Sequence, residues 1–331
     1  MLRSLRNSLL LALLASGAAW GASDEAVLVN AVRHPVDKSY RKMVKGMDLF
    51  ERMHAMAPNA ALRYRLFPRK RDTNMDAIAL HVVADDFELP VAVASDHTFM
   101  LGRYAKALDE NAAVRSERKA GSLTWRAEVR TPGLPSDMRR LGDLRLECLV
   151  GMEAGLVSHY PSLFGRLMEL IEDGRDFCNR SAVPYLFFAE RPLFNVTLTS
   201  GERRQSVSVA QLYGGFAAGR TPKEDLPYCD CEVLLDRAYS LPLGDRSWSD
   251  DTLIQFDYMD AAAPRDDFFA GSTKNEVRAA LGDAKAMRFD AGYELWTYQW
   301  GPPERPLAQT EYVILFDTAR RVVKSRLRSA L

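Results

Sequence analysis

The sequence has no excess of charge of either sign, and its apolar runs are short. Its 44 basic and 44 acidic residues cancel, so no overall field favours nucleic acid or an anionic membrane. The basic runs at 69–71 and 139–140 are therefore interpreted as solvated turns. No apolar run beyond the N-terminus has the length needed to cross a bilayer. We expect no nucleic-acid partner and no transmembrane segment in the mature chain.

No cysteine precedes residue 148, which excludes a lipid-anchored N-terminal cysteine. What the N-terminus does contain is typical of a secretory signal. Arg3 and Arg6 precede an apolar stretch at 9–15, and small residues follow. We expect cleavage between Ala18 and Ala22, so residues 1–22 are a signal peptide. The mature chain is then exported and periplasmic.

Four cysteines follow, and an even number in an oxidising compartment predicts disulfides. They are Cys148, Cys178, Cys229 and Cys231. Three pairings satisfy this set. We favour Cys148–Cys178, joining a strand end to the end of a following helix, which leaves Cys229–Cys231. A bridge with this C-x-C spacing is strained, so the second pairing has the weaker basis.

Motifs of catalytic and cofactor sites are also missing. The chain has no G-x-S-x-G, no glycine-rich phosphate loop and no D-x-D-x-D-G calcium loop. Its five histidines are scattered without metal-ligand spacing. Ser39 and Lys42 have the S-x-x-K spacing of penicillin-binding enzymes, but the companion motifs are absent. We therefore expect no catalytic residue, no cofactor and no metal.

Short strand signals predict a β-rich, sandwich-like N-terminal region with two amphipathic helices. The first helix is expected to be capped by Asp37 and to reach Met56, and the second to span Tyr160–Cys178. Residues predicted as strands are Ala26–Val32, Leu62–Phe67, Ile78–Val83, Leu89–Val93, Thr98–Leu101, Leu123–Val129 and Asp143–Val150, then Tyr185–Phe188 (a central strand), Phe194–Leu198, Glu232–Leu235 and Leu253–Tyr258.

The last segment has the clearest order of elements. Thr273 and Glu276 have capping-box spacing before a helix that ends at Gly282. Strand signals follow at 287–289, 293–300, 312–316 and 322–327. This order predicts a helix packed on an antiparallel meander. The whole chain is then α+β, divided into a signal peptide (1–22), a β-rich domain with two helices (23–180), a second β-rich region (181–263) and a C-terminal module (264–331).

The C-terminal module resembles the SmpA/OmlA (BamE-like) domain. The matching residues are Gly271–Thr273, Glu276–Val277, Leu281–Gly282, Trp296–Tyr298 and Leu315–Asp317. The resemblance implies a small envelope protein module without catalytic residues, which acts by protein contact in outer-membrane protein assembly or as a binding unit. Leu89–Leu101 is similar to the transthyretin-like, carboxypeptidase-regulatory sandwich pattern, which has glycine where His97 stands.

Trp296, Tyr298 and Trp300 are the candidate binding residues. They alternate along one strand, so we expect them to share one face and to be buried or exposed together. Core packing is the ordinary explanation of such a strip. The alternative is a binding surface, where Trp and Tyr supply much of the affinity.

These features predict a non-catalytic, exported envelope protein with a binding or scaffolding role and envelope proteins as partners. The alternative is a periplasmic enzyme acting on cell-wall or envelope polysaccharide, with acids such as Asp85–Asp86 or Asp266–Asp267 in a cleft. That alternative requires two converging acids with shifted pKa values. A structural subunit of a secretion or pilus-type machine would instead leave β edges uncovered.

Overall fold

A computed structural model describes residues 35–119, 121–156, 174–179, 185–218, 231–262, 267–301 and 310–328. Over these residues the chain is α+β and rich in strands arranged in small antiparallel sheets, which confirms the predicted class. The predicted signal peptide and the strand at 26–32 lie outside the described residues.

The first part of the structure contains two small sheets. Its elements are β1 (Pro35–Ser39), α1 (Tyr40–Arg52), β2 (Ala61–Pro68), β3 (Leu80–Val83), β4 (Glu88–Val91), β5 (Thr98–Phe99), α2 (Ala105–Asp109), β6 (Ala113–Lys119) and β7 (Leu123–Arg130). The strand orders are β1-β6-β3-β4 and β5-β2-β7. Strand β6 was not predicted from the sequence. Val114 is its one apolar side chain that is buried, so the strand has no alternating apolar pattern.

Helix α1 begins after Ser39, whose hydroxyl accepts a hydrogen bond from the N–H of Lys42 at 3.3 Å. The prediction of Asp37 as the cap was wrong. Residues 35–39 first pair with β6, and the Asp37 carboxylate accepts hydrogen bonds from Arg115 at 3.0 and 3.1 Å. The S-x-x-K spacing at this point is therefore that of a helix cap.

The largest error concerns residues 143–150, which were predicted as a strand and form helix α3 (Leu141–Glu153). Every residue from Leu141 to Gly151 is buried. A helix that is buried on all sides has no polar face, so its sequence lacks the amphipathic 3.6-residue period. Its polar side chains find distant partners: Asp143, for example, accepts a hydrogen bond from the N–H of Thr131 at 2.8 Å.

A disulfide between Cys148 and Cys178 joins α3 to helix α4 (Gly174–Asn179), with the two Cα atoms 6.0 Å apart. This is the favoured pairing, although Cys148 lies within a helix and not at a strand end. Both residues are buried. The predicted helix before residue 174, Cys229 and the side chain of Cys231 lie outside what the structure describes.

A third sheet has the order β11-β10-β13-β8, and β9 pairs with β12 alone. These elements are β8 (Met138–Arg140), β9 (Phe187–Phe188), β10 (Leu193–Ser200), β11 (Arg203–Ser206), α5 (Cys231–Leu234), β12 (Ala238–Tyr239) and β13 (Leu253–Tyr258). Tyr185–Phe188 was predicted as a central strand, but only Phe187–Phe188 forms a strand, and it pairs with β12 alone, while Phe187 packs on Tyr185 and Tyr239. Residues 232–235 were predicted as a strand but are helical. The prediction failed because so short an apolar run does not distinguish a helix from a strand. Because β8 precedes residue 180, this sheet joins the two β-rich regions.

The C-terminal elements follow the predicted order. They are α6 (Lys274–Leu281), β14 (Lys285–Arg288), β15 (Glu294–Trp300), β16 (Thr310–Phe316) and β17 (Val322–Arg328), and the four strands form an antiparallel meander. The capping box is present: Glu276 donates its N–H to the Thr273 hydroxyl, and its carboxylate accepts the N–H of Thr273 at 2.6 Å. Gly282 ends the helix with φ 80°, a conformation that favours glycine.

Candidate binding surface on the C-terminal module

The two central strands of the meander, β15 and β16, are mostly buried on both faces within this chain. On one face, Leu295, Val313 and Leu315 belong to the main apolar core, which begins at Tyr40. On the other face, a separate cluster lies under α6; its buried members are Val277, Trp296, Tyr298, Ile314, Phe316 and Val322. The module is therefore a layer of the larger fold, and little of its sheet remains for a partner.

Buried charges hold the first face against the third sheet. Lys324 donates to the carboxylate of Asp257 and to the carbonyl of Tyr258. Arg328 donates to the carbonyl of Phe194 at 2.7 Å and to the side chain of Asn195. Removing one member of such a set leaves an uncompensated charge in the interior, so these contacts resist separation. Burial lowers the pKa of Arg328, although nearby Tyr213 and Glu311 oppose this change.

Trp296 has a structural role on the second face. Its indole N–H donates to the carboxylate of Glu294 at 2.7 Å, and its ring packs on Phe316. Glu294 also accepts hydrogen bonds from Lys274 and Arg288. Burial works to raise the pKa of Glu294, but these three donors outweigh it and hold the pKa below its usual range. The predicted binding residue Trp296 is thus a buried support of the module.

Tyr298 and Trp300 differ in exposure, contrary to the prediction that the strip is buried or exposed together. Tyr298 is buried and donates its hydroxyl to the carbonyl of Gly282 at 3.2 Å. Trp300 is 53 % exposed and stacks on Tyr298, with ring centroids 6.5 Å apart. The reason is length: α6 ends at Leu281, level with Tyr298, whereas β15 continues for one further pair of residues.

Two more exposed apolar side chains lie on the face that carries Trp300. Tyr298, Tyr312 and Leu327 are direct cross-strand partners, so their side chains point to one face, and Leu327 is 61 % exposed. Phe269 packs on Tyr312 at 6.3 Å, and Phe268, 88 % exposed, packs edge-on against Phe269. We call Phe268, Trp300 and Leu327 the sheet-end patch.

Sequence reasoning found one of these three residues. Leu327 would have followed from the register of β17, had the pairing of Tyr312 with Leu327 been known. Phe268 precedes α6 in a segment without a periodic pattern, so nothing in the sequence distinguishes it from the partly buried Phe269.

The described acids that were considered for catalysis lie in an exposed turn or bind a backbone N–H and a hydroxyl of the same chain. Asp85 and Asp86 form the exposed turn between β3 and β4. Asp267 accepts hydrogen bonds from the N–H and hydroxyl of Ser325, while Asp266 lies outside the described residues. A pocket beside Glu147 has a volume of about 30 Å³, far below the roughly 300–1,000 Å³ of sites that bind ligands. Burial raises the pKa of Glu147, against the opposing charge of Arg139, to which it is bonded at 2.7 Å.

Over the ranges that the structure describes, no cluster of three or more His, Cys, Asp or Glu side chains is placed to bind a metal ion. Within the same ranges, no helix has the length and apolar character to cross a bilayer. No protein-family model, curated protein or solved structure matches the chain.

Proposed function

We propose that this chain is a non-catalytic, exported envelope protein that binds a partner protein through its C-terminal module. The order of capped helix and four-stranded meander supports the resemblance to the SmpA/OmlA (BamE-like) domain and, with it, a scaffolding role linked to outer-membrane assembly. The Cys148–Cys178 disulfide supports an oxidising compartment such as the periplasm.

The sheet-end patch is the observation that carries the proposal. The centre of β15 and β16 is covered by α6 on one face and by the third sheet on the other, and the exposed residues of β14 are Lys285, Ala286 and Arg288, so the sheet-end patch is the aromatic and apolar surface that the module offers a partner. Grouped apolar side chains at a surface are typical of interaction sites, whereas single ones are ordinary. Trp is also among the residues that contribute most to binding energy at interfaces.

Deleting the module is a poor test, because it would leave Asp257 and the core side of β10 and β13 without their partners. A photo-crosslinking residue at Leu327 is sharper, since this side chain already faces solvent. We expect one discrete adduct with an envelope protein in living cells. Adding Trp300→Ser should abolish it, because the aromatic anchor is lost while the half-exposed position tolerates the change.

The matched control carries the same crosslinker at Glu202, in the exposed turn between β10 and β11. It should give no such adduct. Identical adducts from Glu202, or a Leu327 adduct that survives Trp300→Ser, would count against the patch as the docking site.

A further inference from the structure

A second group of exposed apolar residues lies at the opposite end of the sequence. Met100, 70 % exposed, and Tyr104 line an open groove of about 490 Å³ beside β4 and β5. The groove is also lined by Val91, Val93, Phe99 and Arg63. A volume of this size lies within the range of sites that bind small ligands or short peptide segments.

The wall of this groove is held in place by contacts from α1. The buried hydroxyl of Tyr40 donates to the carbonyl of Gly102 at 2.8 Å and accepts the N–H of Tyr104 at 2.7 Å. Arg103, between them, donates to Asp48 and Glu51 of α1. A Cβ at residue 102 would lie 2.6 Å from the Tyr104 hydroxyl, so the ring folds back over Gly102. The groove is therefore built before any ligand arrives, which lowers the cost of binding.

Among the described residues, the groove has one cationic lining residue, Arg63. Arg63 lines both this groove and a neighbouring pocket that also holds Arg65 and Arg130. Arg65 and Arg130 each have a carboxylate oxygen within 2.9 Å, supplied by Glu128 and Glu190. The carboxylate nearest to Arg63 belongs to Asp96, at 4.0 Å.

Asp96 makes its hydrogen bonds elsewhere. Its Oδ1 atom accepts the N–H and the hydroxyl of Thr98, at 3.1 and 2.6 Å, and its Oδ2 atom lies 3.8 Å from Arg65 and 4.0 Å from Arg63, beyond hydrogen-bond distance of both. Arg63, whose side chain is 52 % exposed, is thus only weakly paired by Asp96 and can bind an anion that lies in the groove. A half-exposed arginine is by itself ordinary. Here it borders an apolar groove, so the site favours a ligand that carries both an apolar part and an anionic group.

We propose that the groove binds the apolar C-terminal residues of a peptide chain, with their terminal carboxylate on Arg63. The extended run Pro90–Ala94 forms one wall and is about 16 Å long, enough to lie beside a short extended peptide. Side chains of that peptide contact Val91, Phe99 and Met100. The carboxylate meets the two-pronged donor geometry that arginine presents. This site is separate from the sheet-end patch and does not depend on it.

The test uses the full mature chain, immobilised, and two equimolar pools of acetylated tetrapeptides made of Ala, Val, Leu and Phe. One pool has free carboxyl ends and the other carboxamide ends, and mass spectrometry measures what is retained. We expect retention of free-acid peptides at least tenfold above the carboxamides. Arg63→Gln should reduce the acids to the level of the amides, and Met100→Lys should remove both.

Arg204→Gln is the matched control, since Arg204 is also an arginine on a strand surface but lies in β11, away from the groove. It should leave retention unchanged, and so should Trp300→Ser. Equal retention of acids and amides, an unchanged result with Arg63→Gln, or no retention above the Met100→Lys background would each overturn the proposal. Decanoate that displaces the peptides tenfold more strongly than they displace one another would reassign the groove to a fatty acid.

Discussion

The C-terminal module and the centre of the molecule around α3 differ in how far their sequence determines their local structure. In the module, a capping box, a C-terminal glycine and alternating strands are each decided by residues a few positions apart. Around α3, an apolar sequence takes its conformation from partners about a hundred residues away, such as the loop at 243–250. Local signals identify elements with one exposed side, and they fail where burial is complete on all sides.

The largest effect should come from Arg145 in α3, which holds that loop. Its guanidinium donates to the carbonyls of Leu243, Asp245 and Trp248 and to the carboxylate of Asp250 at 2.6 Å. Arg145→Leu leaves these acceptors unpaired, so we expect a loss of about 3–5 kcal/mol in the free energy of unfolding. Urea denaturation followed by tryptophan fluorescence measures it.

Arg71→Leu is the control. Arg71 pairs with Asp290 at 2.7 Å, both side chains are largely exposed, and exposed ion pairs contribute only about 0–1 kcal/mol. Equal losses from the two substitutions would show that the loop is not held by Arg145 and would remove the contrast between the centre and the surface.

The disulfide is the second support of the centre. Cys148 and Cys178 are 30 residues apart, and closing a loop of that length in the unfolded chain is worth about 3–4 kcal/mol. We expect Cys148→Ala/Cys178→Ala to lose that amount relative to the oxidised wild type. Reduction with dithiothreitol should destabilise the wild type by about this much more than the double variant, which keeps only Cys229 and Cys231. A wild type that is insensitive to the reductant would contradict the bridge.

The elements of the module could be predicted from the sequence because each of them has its own residues that begin and end it. Thr273, Glu276 and Gly282 delimit α6 without any knowledge of the rest of the chain. It could not supply α3, where Leu144, Leu146 and Cys148 alternate as in a strand while Asp143, Arg145 and Glu147 are buried too. Of the three residues of the sheet-end patch, only Trp300 was predicted, because Leu327 depends on the register of β17 and Phe268 lies in a segment without a periodic pattern.

A smaller effect is expected in the module, at Glu294. Its pKa is lower in the folded chain than its ordinary value of 4.5, so folding favours the ionised form. This contribution is complete above the unfolded-state pKa and is lost as the pH falls through the folded-state value. Replacing Glu294 by Gln should cost about 1–2 kcal/mol at pH 7, from weakened bonds to Lys274, Arg288 and Trp296.

The difference between Glu294→Gln and the wild type should shrink as the pH falls below about 4.5, since the wild-type carboxyl then becomes neutral as well. Denaturation curves at pH 7, 5 and 3 measure this. A difference that stays constant across that range would mean that the charge of Glu294 does not support the module.

The smallest effect tests whether a local backbone rule holds outside the module. His97 has φ 62°, a left-handed conformation that costs a residue with a Cβ about 1 kcal/mol, and the sandwich pattern resembled by 89–101 has glycine there. The position is fixed by hydrogen bonds from the N–H of His97 to Ala94 and from the N–H of Leu66 to His97. We expect His97→Gly to raise the free energy of unfolding by about 0.5–1 kcal/mol. His81→Gly, the same change within β3, should lower it by a similar amount, because glycine weakens a regular strand. If both changes destabilise equally, the turn at His97 is held by its tertiary contacts in the same way as α3, and local determination is confined to the C-terminal module.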